Sequence, residues 1–551
     1  MLRLVLLFRY RFDSDEPQHM HVAWAWSRGL VQYRDVFDNH MPLFHILWAP
    51  LFRFAGDDVN VLYLARLSVV PLFFASIYLV FLIAERLFDR RTAAWAAALT
   101  AAVPPFFLGM LEYRTDDLWV VLWLACLYIL ISQPDPLRRA VAGGALLGLA
   151  FGVSMKSVLF AIAIVVASLA TAVLTRHRPD PPRLGDVTSR LITLLTTALI
   201  VPTTIAGLFA IAGVWRRFAY CVLWHNTSAP IDHTWWRVFW IVPLAPLGLR
   251  FARRYAAADG DDAVVRQRLF LFLVCATYFI MLSAFWPILS LEDYLPFYPL
   301  AAILAAPAIL SLRAPRKIPM FERGPVFAMC AVTLLIVTTT ATGKVWRDEA
   351  HEEVALIRQV LQITRPSDKV MDLKGESVFR NRPYWFVLES ITHRKLRTYA
   401  LRDDIAAALV RSGTAVLAST DFPVKTRVFV RHNYVPWGRL WVVGHRVLPA
   451  PPGGAAIPFR VSVPSRYIVV DVHGRVDSTI DGVPAGNGVE LTSGWHRVAM
   501  ARSSSHPLII WSGVTRSQTF LSTLRATEDL IRSRGGVRKI AGRVQALENQ
   551  Q

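Results

Sequence analysis

Residues able to carry chemistry gather in four short stretches of the chain. The first, Asp13–Pro50, reads DSDEPQHMHVAWAWSRGLVQYRDVFDNHMPLFHILWAP and packs Asp13, Asp15, Glu16, Asp35 and Asp38 with His19, His21, His40 and His45. The others are EYRTDD (Glu112–Asp117), GLAFGVSMK (Gly148–Lys156) and EDYLPFYP (Glu292–Pro299). A carboxylate can take the proton of an attacking hydroxyl, and cations placed where negative charge grows can stabilise a departing anion. A merely solvated loop has no need of four histidines and three tryptophans. His19 and His21 are the candidates for a metal, but His-x-His on a helix points its rings apart, and no His-Glu-x-x-His spacing occurs. There is also no phosphate-binding G-x-x-x-x-G-K-[ST] loop and no dinucleotide fingerprint after a strand.

The elements that must position these residues are membrane helices. Of the 551 residues 54% are hydrophobic and 18% charged, below the roughly 25% charge of a soluble domain. From Val61 to Gly343 the apolar excess falls in blocks of about 16–25 residues, long enough for a hydrocarbon layer of roughly 30 Å. This excludes a purely soluble enzyme, a disordered chain and a disulfide scaffold. The reading is a polytopic α-helical membrane protein with spans near Val61–Ala84, Thr92–Leu111, Leu118–Ser132, Ala140–Ser154, Leu159–Thr175, Leu191–Val214, Trp235–Leu249, Leu269–Trp286, Tyr294–Leu312 and Val326–Gly343. Met1–Arg9 is too short to span, and an external Arg11–Asn60 calls for a full helix ahead of it, so ten to twelve spans are expected. Cys126, Cys221, Cys275 and Cys330 lie in or beside apolar blocks, with no disulfide or zinc pattern.

Alternate loops give the orientation. Glu85–Arg91, Gln133–Arg139, Arg176–Arg190, Arg250–Arg268 and Arg313–Gly324 hold 18 basic residues between them. The opposite set, Glu112–Asp117, Met155–Val158, Trp215–Thr234 and Pro287–Asp293, holds 4. Positive charge marks the cytoplasmic side. All four chemical stretches then share the external face, as does the tail after Gly343. The net charge of +20 is spread without a basic run, so a membrane protein accounts for it and nucleic acid is not expected as a partner. Only 8 of the 60 basic residues are Lys, which points to a GC-rich bacterial genome.

The four stretches together resemble the GT-C glycosyltransferases. Asp15-Glu16 ahead of a helix, then Gly29-x-x-x-Tyr33-Arg34-Asp35 and His40-x-Pro42, look like the first external loop of the protein mannosyltransferase and aminoarabinose transferase group, which uses polyprenyl-phosphate sugars. The likeness covers about residues 10 to 343. It implies an inverting transfer from a polyprenyl-phosphate-linked sugar donor to a cell-envelope glycan, lipid or protein acceptor, at the external face of the bacterial inner membrane. It further implies Asp15 as the base with Glu16 its neighbour and substitute, and Arg114 and Lys156 on the donor phosphate. Asp35, His40, Asp116 and Asp117 would bind substrate. No cofactor is called for; a divalent metal near the phosphate is the option the family leaves open. Two other classes compete: a transporter or flippase of lipid-linked sugars, and a non-catalytic envelope assembly protein. A transporter wants ionisable groups at the bilayer midplane or inverted repeats. Arg66 is the nearest case here, and the ionisable groups otherwise cluster at one face.

Helix-forming and strand-forming patterns divide the rest. Val22–Leu30 looks like an aromatic helix lying in the interface. Gly143, Gly144, Gly148 and Gly152 have the spacing of helix-packing residues. Beyond the membrane part (1–343, with 13–60 external), residues 344–448 read as a periplasmic α/β domain and 449–458 as a proline-rich linker. Residues 459–515 read as a small antiparallel β module, and 516–551 as a terminal helix with a polar end. The run Asp481–Val498 resembles PEGA-type surface β modules. No catalytic constellation stands out in the tail.

Overall fold

The computed structural model describes residues 1–179, 181–227, 235–258, 260–286, 289–311, 323–447, 456–501 and 507–533. They form two units, Met1–Ala350 and His351–Gln551. In the first unit α1 (Leu2–Arg9), α2 (Asp15–Ser27) and α3 (Leu43–Ala55) precede α4 (Val61–Leu87), α5 (Arg90–Ala102) and α6 (Pro104–Gly109). Then come α7 (Thr115–Ser132), α8 (Pro136–Val153), α9 (Ser157–Leu174) and α10 (Leu184–Ile211). The short α11 (Trp215–Ala219) and α12 (His225–Thr227) flank a π-helical turn at Tyr220–Trp224. The unit ends with α13 (Trp235–Ile241), α14 (Leu244–Ala256), α15 (Asp262–Phe285), α16 (Phe297–Leu310) and α17 (Arg323–Thr342).

Five of these helices, α4, α7, α9, α10 and α15, are long and apolar enough to cross a membrane, and α3, α16 and Ala328–Thr342 of α17 are shorter apolar helices. The chain is a polytopic membrane protein. Aspartates in loops expected to be cytoplasmic start three helices: Asp89 accepts from the Thr92 amide at 2.9 Å, Asp135 from Arg138 at 2.7 Å, and Asp261 from Ala263 at 2.7 Å. Such caps satisfy amides that the first turn leaves bare. Two expected spans are broken by proline. Thr92–Leu111 divides at Val103-Pro104 into α5 and α6, because a proline inside the run has no amide to donate. Trp235–Leu249 divides near Pro243, and α14 then carries on through Arg250, Arg253 and Arg254.

The glycine stripe on α8 packs as its spacing indicates. A Cβ on Gly144 would sit 2.5 Å from the Leu194 carbonyl oxygen, and one on Gly148 would sit 2.8 Å from that of Ala198. Helices α8 and α10 therefore meet backbone to backbone. The helix expected to lie in the interface does not do so. Helix α2 begins seven residues earlier than Val22, at Asp15, and its side chains from Glu16 to Ala25 are all buried. Aromatic content made it look amphipathic, whereas His19, His21 and Gln18 are buried inside the protein rather than facing water.

The second unit opens with α18 (His351–Ile363) and is built on two sheets. The larger runs β1 (Val370–Met371), β2 (Val416–Leu417), β4 (Leu440–Arg446), β12 (Leu508–Trp511), β6 (Ser465–Asp471) and β10 (Val489–Leu491). There β3 (Tyr434–Trp437) pairs with β4, and β7 (Gly474–Arg475) with β6. The smaller runs β5 (Ile457–Val461), β11 (Gly494–Met500), β8 (Ser478–Ile480) and β9 (Val483–Pro484). Strand β12 changes the reading of the tail. Ile509 sits opposite His445 of β4 and Val469 of β6, so one strand joins the stretches on both sides of Pro449–Pro458. One core, from Val360 through Val416 and Ile468 to Ile510, spans them as well. The expected α/β domain and β module are one folding unit, and a cut at Pro449 would remove a central strand. Local alternation shows that Leu508–Trp511 is a strand; it cannot show which strands far earlier in the chain it joins. Of the expected linker, 449–455 lies outside the described residues.

Candidate active site

The amino end of α2 places Asp15 and Glu16 side by side, yet they meet different surroundings. Glu16 is fully buried. Its Oε1 lies 2.5 Å from Arg66 Nη2 and its Oε2 accepts from Arg66 Nε at 2.8 Å and from the Tyr113 amide at 2.9 Å. Oε1 also accepts from the Asp13 amide at 2.9 Å. Arg66, equally buried on α4, spends its remaining protons on the carbonyls of Leu7, Tyr10 and Arg11. Thus the one charge that resembled a midplane group is the anchor of the loop, in the second turn of α4.

Arg114, just before α7, is the hub of the second loop. Its guanidinium lies 2.9 Å from Asp13, 3.3 Å from Asp15, 3.3 Å from Asp116 and 3.8 Å from Glu112. Burial works against its charge, but Asp15, Asp116, Glu112 and Asp13 outweigh it and hold the guanidinium firmly protonated. Asp15 is the most exposed of these four carboxylates, at 30% of its side chain. Glu112 is the reverse case: burial pushes it well above the usual carboxylate range, and Arg114 only partly opposes this.

Asp116 continues the chain of charges. Its other oxygen lies 3.3 Å from Lys156 Nζ, and Lys156 reaches Asp293 at 2.5 Å. Lys156 stands at the start of α9, where burial disfavours its charge and Asp116 and Asp293 restore it, so its ammonium is held above the usual lysine range. Asp293 is itself fixed by the amide and hydroxyl of Ser290. Four loops distant in sequence therefore converge as Asp15–Arg114–Asp116–Lys156–Asp293. The two cations are already neutralised by carboxylates, and an anion entering here competes with Asp116 or Asp15 for them.

A second cluster centres on Asp38, which is fully buried. It accepts from Gln18 at 3.3 Å and Gln32 at 2.7 Å, and lies 2.9 Å from His40 Nδ1 and 3.5 Å from His45 Nδ1. Burial would raise its pKa, but His40 and His45 hold the carboxyl below the usual range. His45 Nε2 meets His19 Nδ1 at 3.0 Å, and the His19 and His40 rings are 4.7 Å apart. The turn that aims this cluster is strained. Tyr33, a buried non-glycine residue, has φ +70°, held by its hydroxyl donating to the His40 carbonyl at 2.7 Å and by rings of Phe209 and Phe218. Such a conformation costs roughly 1–3 kcal/mol and persists only where its surroundings enforce it.

Not every expected residue joins the site. Asp35 turns away to Arg34 at 2.8 Å, and Asp117 is fully buried in α7 with neither oxygen hydrogen-bonded and Arg3 the first opposing charge. His19 and His21 do not converge on a metal: His19 faces His45, while His21 stacks on Trp24. Among the described residues no group of three or more His, Cys, Asp or Glu is arranged to hold one. The sequence reading did not single out Asp13, Asp38 or Asp293 for roles. Asp293 stood in the fourth stretch, two residues before Leu295, and its position in that motif was the available signal.

Comparison with known proteins agrees with this architecture. The family model described as dolichyl-phosphate-mannose-protein mannosyltransferase matches residues 40–182. No curated protein sequence matches the chain significantly. The crystal structure of ArnT from Cupriavidus metallidurans in the apo state aligns with a TM-score of 0.55 at 15% identity, over 80% of this chain and 95% of that one. The same protein bound to undecaprenyl phosphate aligns with a TM-score of 0.51 at 13% identity, over 78% and 93%. The chain therefore has the GT-C fold, a helical membrane domain followed by a β-rich C-terminal unit, as the sequence resemblance implies.

Proposed function

We propose that this protein is an inverting glycosyltransferase that moves a sugar from a polyprenyl phosphate to a hydroxyl of an envelope glycan, lipid or protein. The observation that carries this reading is the convergence of Asp15, Arg114, Asp116, Lys156 and Asp293 from four separate loops. The family match and the GT-C fold support it, as does the undecaprenyl phosphate bound by ArnT. Asp15 takes the acceptor proton as the hydroxyl oxygen attacks the anomeric carbon. The bond from that carbon to the phosphate oxygen breaks, and its electron pair leaves with the lipid phosphate. Arg114 and Lys156 stand where this charge grows and displace their carboxylates to meet it. Glu16 positions Asp15 by tying the start of α2 to Arg66, and His40 contacts substrate. The arginine asymmetry supports placing this site, and the C-terminal unit, on the extracytoplasmic side of the bacterial inner membrane.

The transporter reading finds less support, since Arg66 is consumed by Glu16 and three carbonyls instead of facing a path. The proposal is tested on the donor phosphate. A hydrogen bond to a charged group contributes about 1.5–3 kcal/mol, so Lys156→Gln and Arg114→Gln should each weaken undecaprenyl phosphate binding by about tenfold or more. Titration of the purified variants in nanodiscs measures this. Unchanged affinity in both, with melting like the parent protein, removes the phosphate assignment.

A further inference from the structure

One carboxylate fixes the tautomers of three imidazoles beside the site. The Asp38 carboxylate only accepts hydrogen bonds, so each ring nitrogen turned towards it must carry the proton. For His40 that nitrogen is Nδ1, at 2.9 Å. In the neutral ring Nε2 is then a bare lone pair. For His45 it is also Nδ1, at 3.5 Å, long for a hydrogen bond but close enough for a lone pair there to be repelled. Burial drives His45 down to about 4, partly opposed by Asp38, so this ring is neutral at physiological pH and its Nε2 accepts. His19 Nδ1, 3.0 Å away, must donate to it.

These rings differ in what they can reach. Asp38, His45 and His19 are buried, whereas 24% of the His40 side chain is exposed. His40 also lies within electrostatic range of Asp116. Asp116 in turn bridges Arg114 and Lys156. The charged and titratable groups around His40 include Asp38, His19, Tyr33 and Asp116, with His45 behind Asp38. A bare nitrogen among cations and carboxylates offers a neutral acceptor, which suits an uncharged hydroxyl.

We propose that Asp38 is a positioning residue that holds His40 with its proton on Nδ1, so that His40 Nε2 accepts a hydrogen bond from a substrate hydroxyl next to the Arg114–Asp116–Lys156 cluster. The substrate part rests on the glycosyltransferase reading; the tautomer part does not. The hydroxyl belongs either to the acceptor or to the sugar of the donor, and kinetics distinguish them: loss of the contact raises KM for whichever molecule carries it.

The test has two arms. Nitrogen-15 NMR of histidine-labelled protein in nanodiscs, with the His40 signal identified by its loss in His40→Gln, should show Nδ1 protonated and Nε2 bare. Asp38→Asn, which substitutes an amide for the carboxylate, should shift that population towards protonated Nε2, as loss of an orienting aspartate does in catalytic triads. Protonated Nε2 in the parent protein overturns the proposal. In the kinetic arm, His40→Leu should raise one KM or lower kcat/KM at least tenfold, while His40→Gln, which can place an oxygen near the Nε2 position, should recover most of that loss. Equal loss in both variants, or none in His40→Leu, also overturns it. A correct tautomer in a protein that transfers no sugar would instead count against the glycosyltransferase reading.

Discussion

Asp15→Asn should lower kcat by about 10²–10⁴-fold, or roughly 3–5 kcal/mol of transition-state stabilisation, because a positioned base contributes on that scale. The substitution keeps the size of the side chain and an oxygen for Arg114, from which Asp15 now lies 3.3 Å. With one competing charge removed from Arg114, donor binding should hold or tighten, and the loss should appear in kcat rather than KM. Among the carboxylates that surround Arg114, Asp15 is the most exposed and so the most accessible to an incoming hydroxyl. Steady-state turnover of polyprenyl-phosphate sugar by the purified variant is the measurement. A kcat within a factor of three of the parent would remove Asp15 from the reaction.

Glu16→Gln should fail in a different way. Glu16 and Arg66 form a fully buried pair, and removing one partner of such a pair leaves an uncompensated charge that costs about 3–5 kcal/mol. The amide can still accept from Tyr113, so the deficit falls on Arg66. Thermal unfolding in detergent should show a clear loss of stability. Glu16→Met with Arg66→Met should be less damaging than the two single changes added together, since the double variant buries no unpaired charge. If Glu16→Gln instead melts like the parent but turns over no donor, Glu16 is the base and Asp15 its neighbour.

This contrast shows what the sequence could and could not reveal. The Asp15-Glu16 pair was legible as chemistry, but two adjacent carboxylates on one helix look interchangeable until their partners are known. Arg66 lies 50 residues from Glu16, and the Tyr113 amide 97, and no local pattern announces either contact. The convergence of the four stretches on one face was legible, because arginine counting orients every loop at once. Asp38 was visible only as one more acid in a loop. What makes it the centre of a histidine cluster is the strained turn at Tyr33, whose φ of +70° no residue preference would suggest. The close approach of Gly144 and Gly148 to α10 followed from local chemistry; the breaks at Pro104 and Pro243 did not, because the apolar blocks run straight across those prolines. The single core of the tail did not, because β12 pairs with strands that local alternation treats as belonging to another domain.

The most direct measurement follows the lipid phosphate itself. Purified protein in nanodiscs is given the polyprenyl-phosphate sugars extracted from its own host membranes, and released polyprenyl phosphate is counted with and without hydroxyl-bearing envelope glycans and lipids. Release that depends on acceptor, with one sugar transferred per lipid phosphate freed and its anomeric configuration inverted, is the predicted result. Intact donor after incubation with active, folded protein, or donor that merely crosses the bilayer unchanged, would contradict the account.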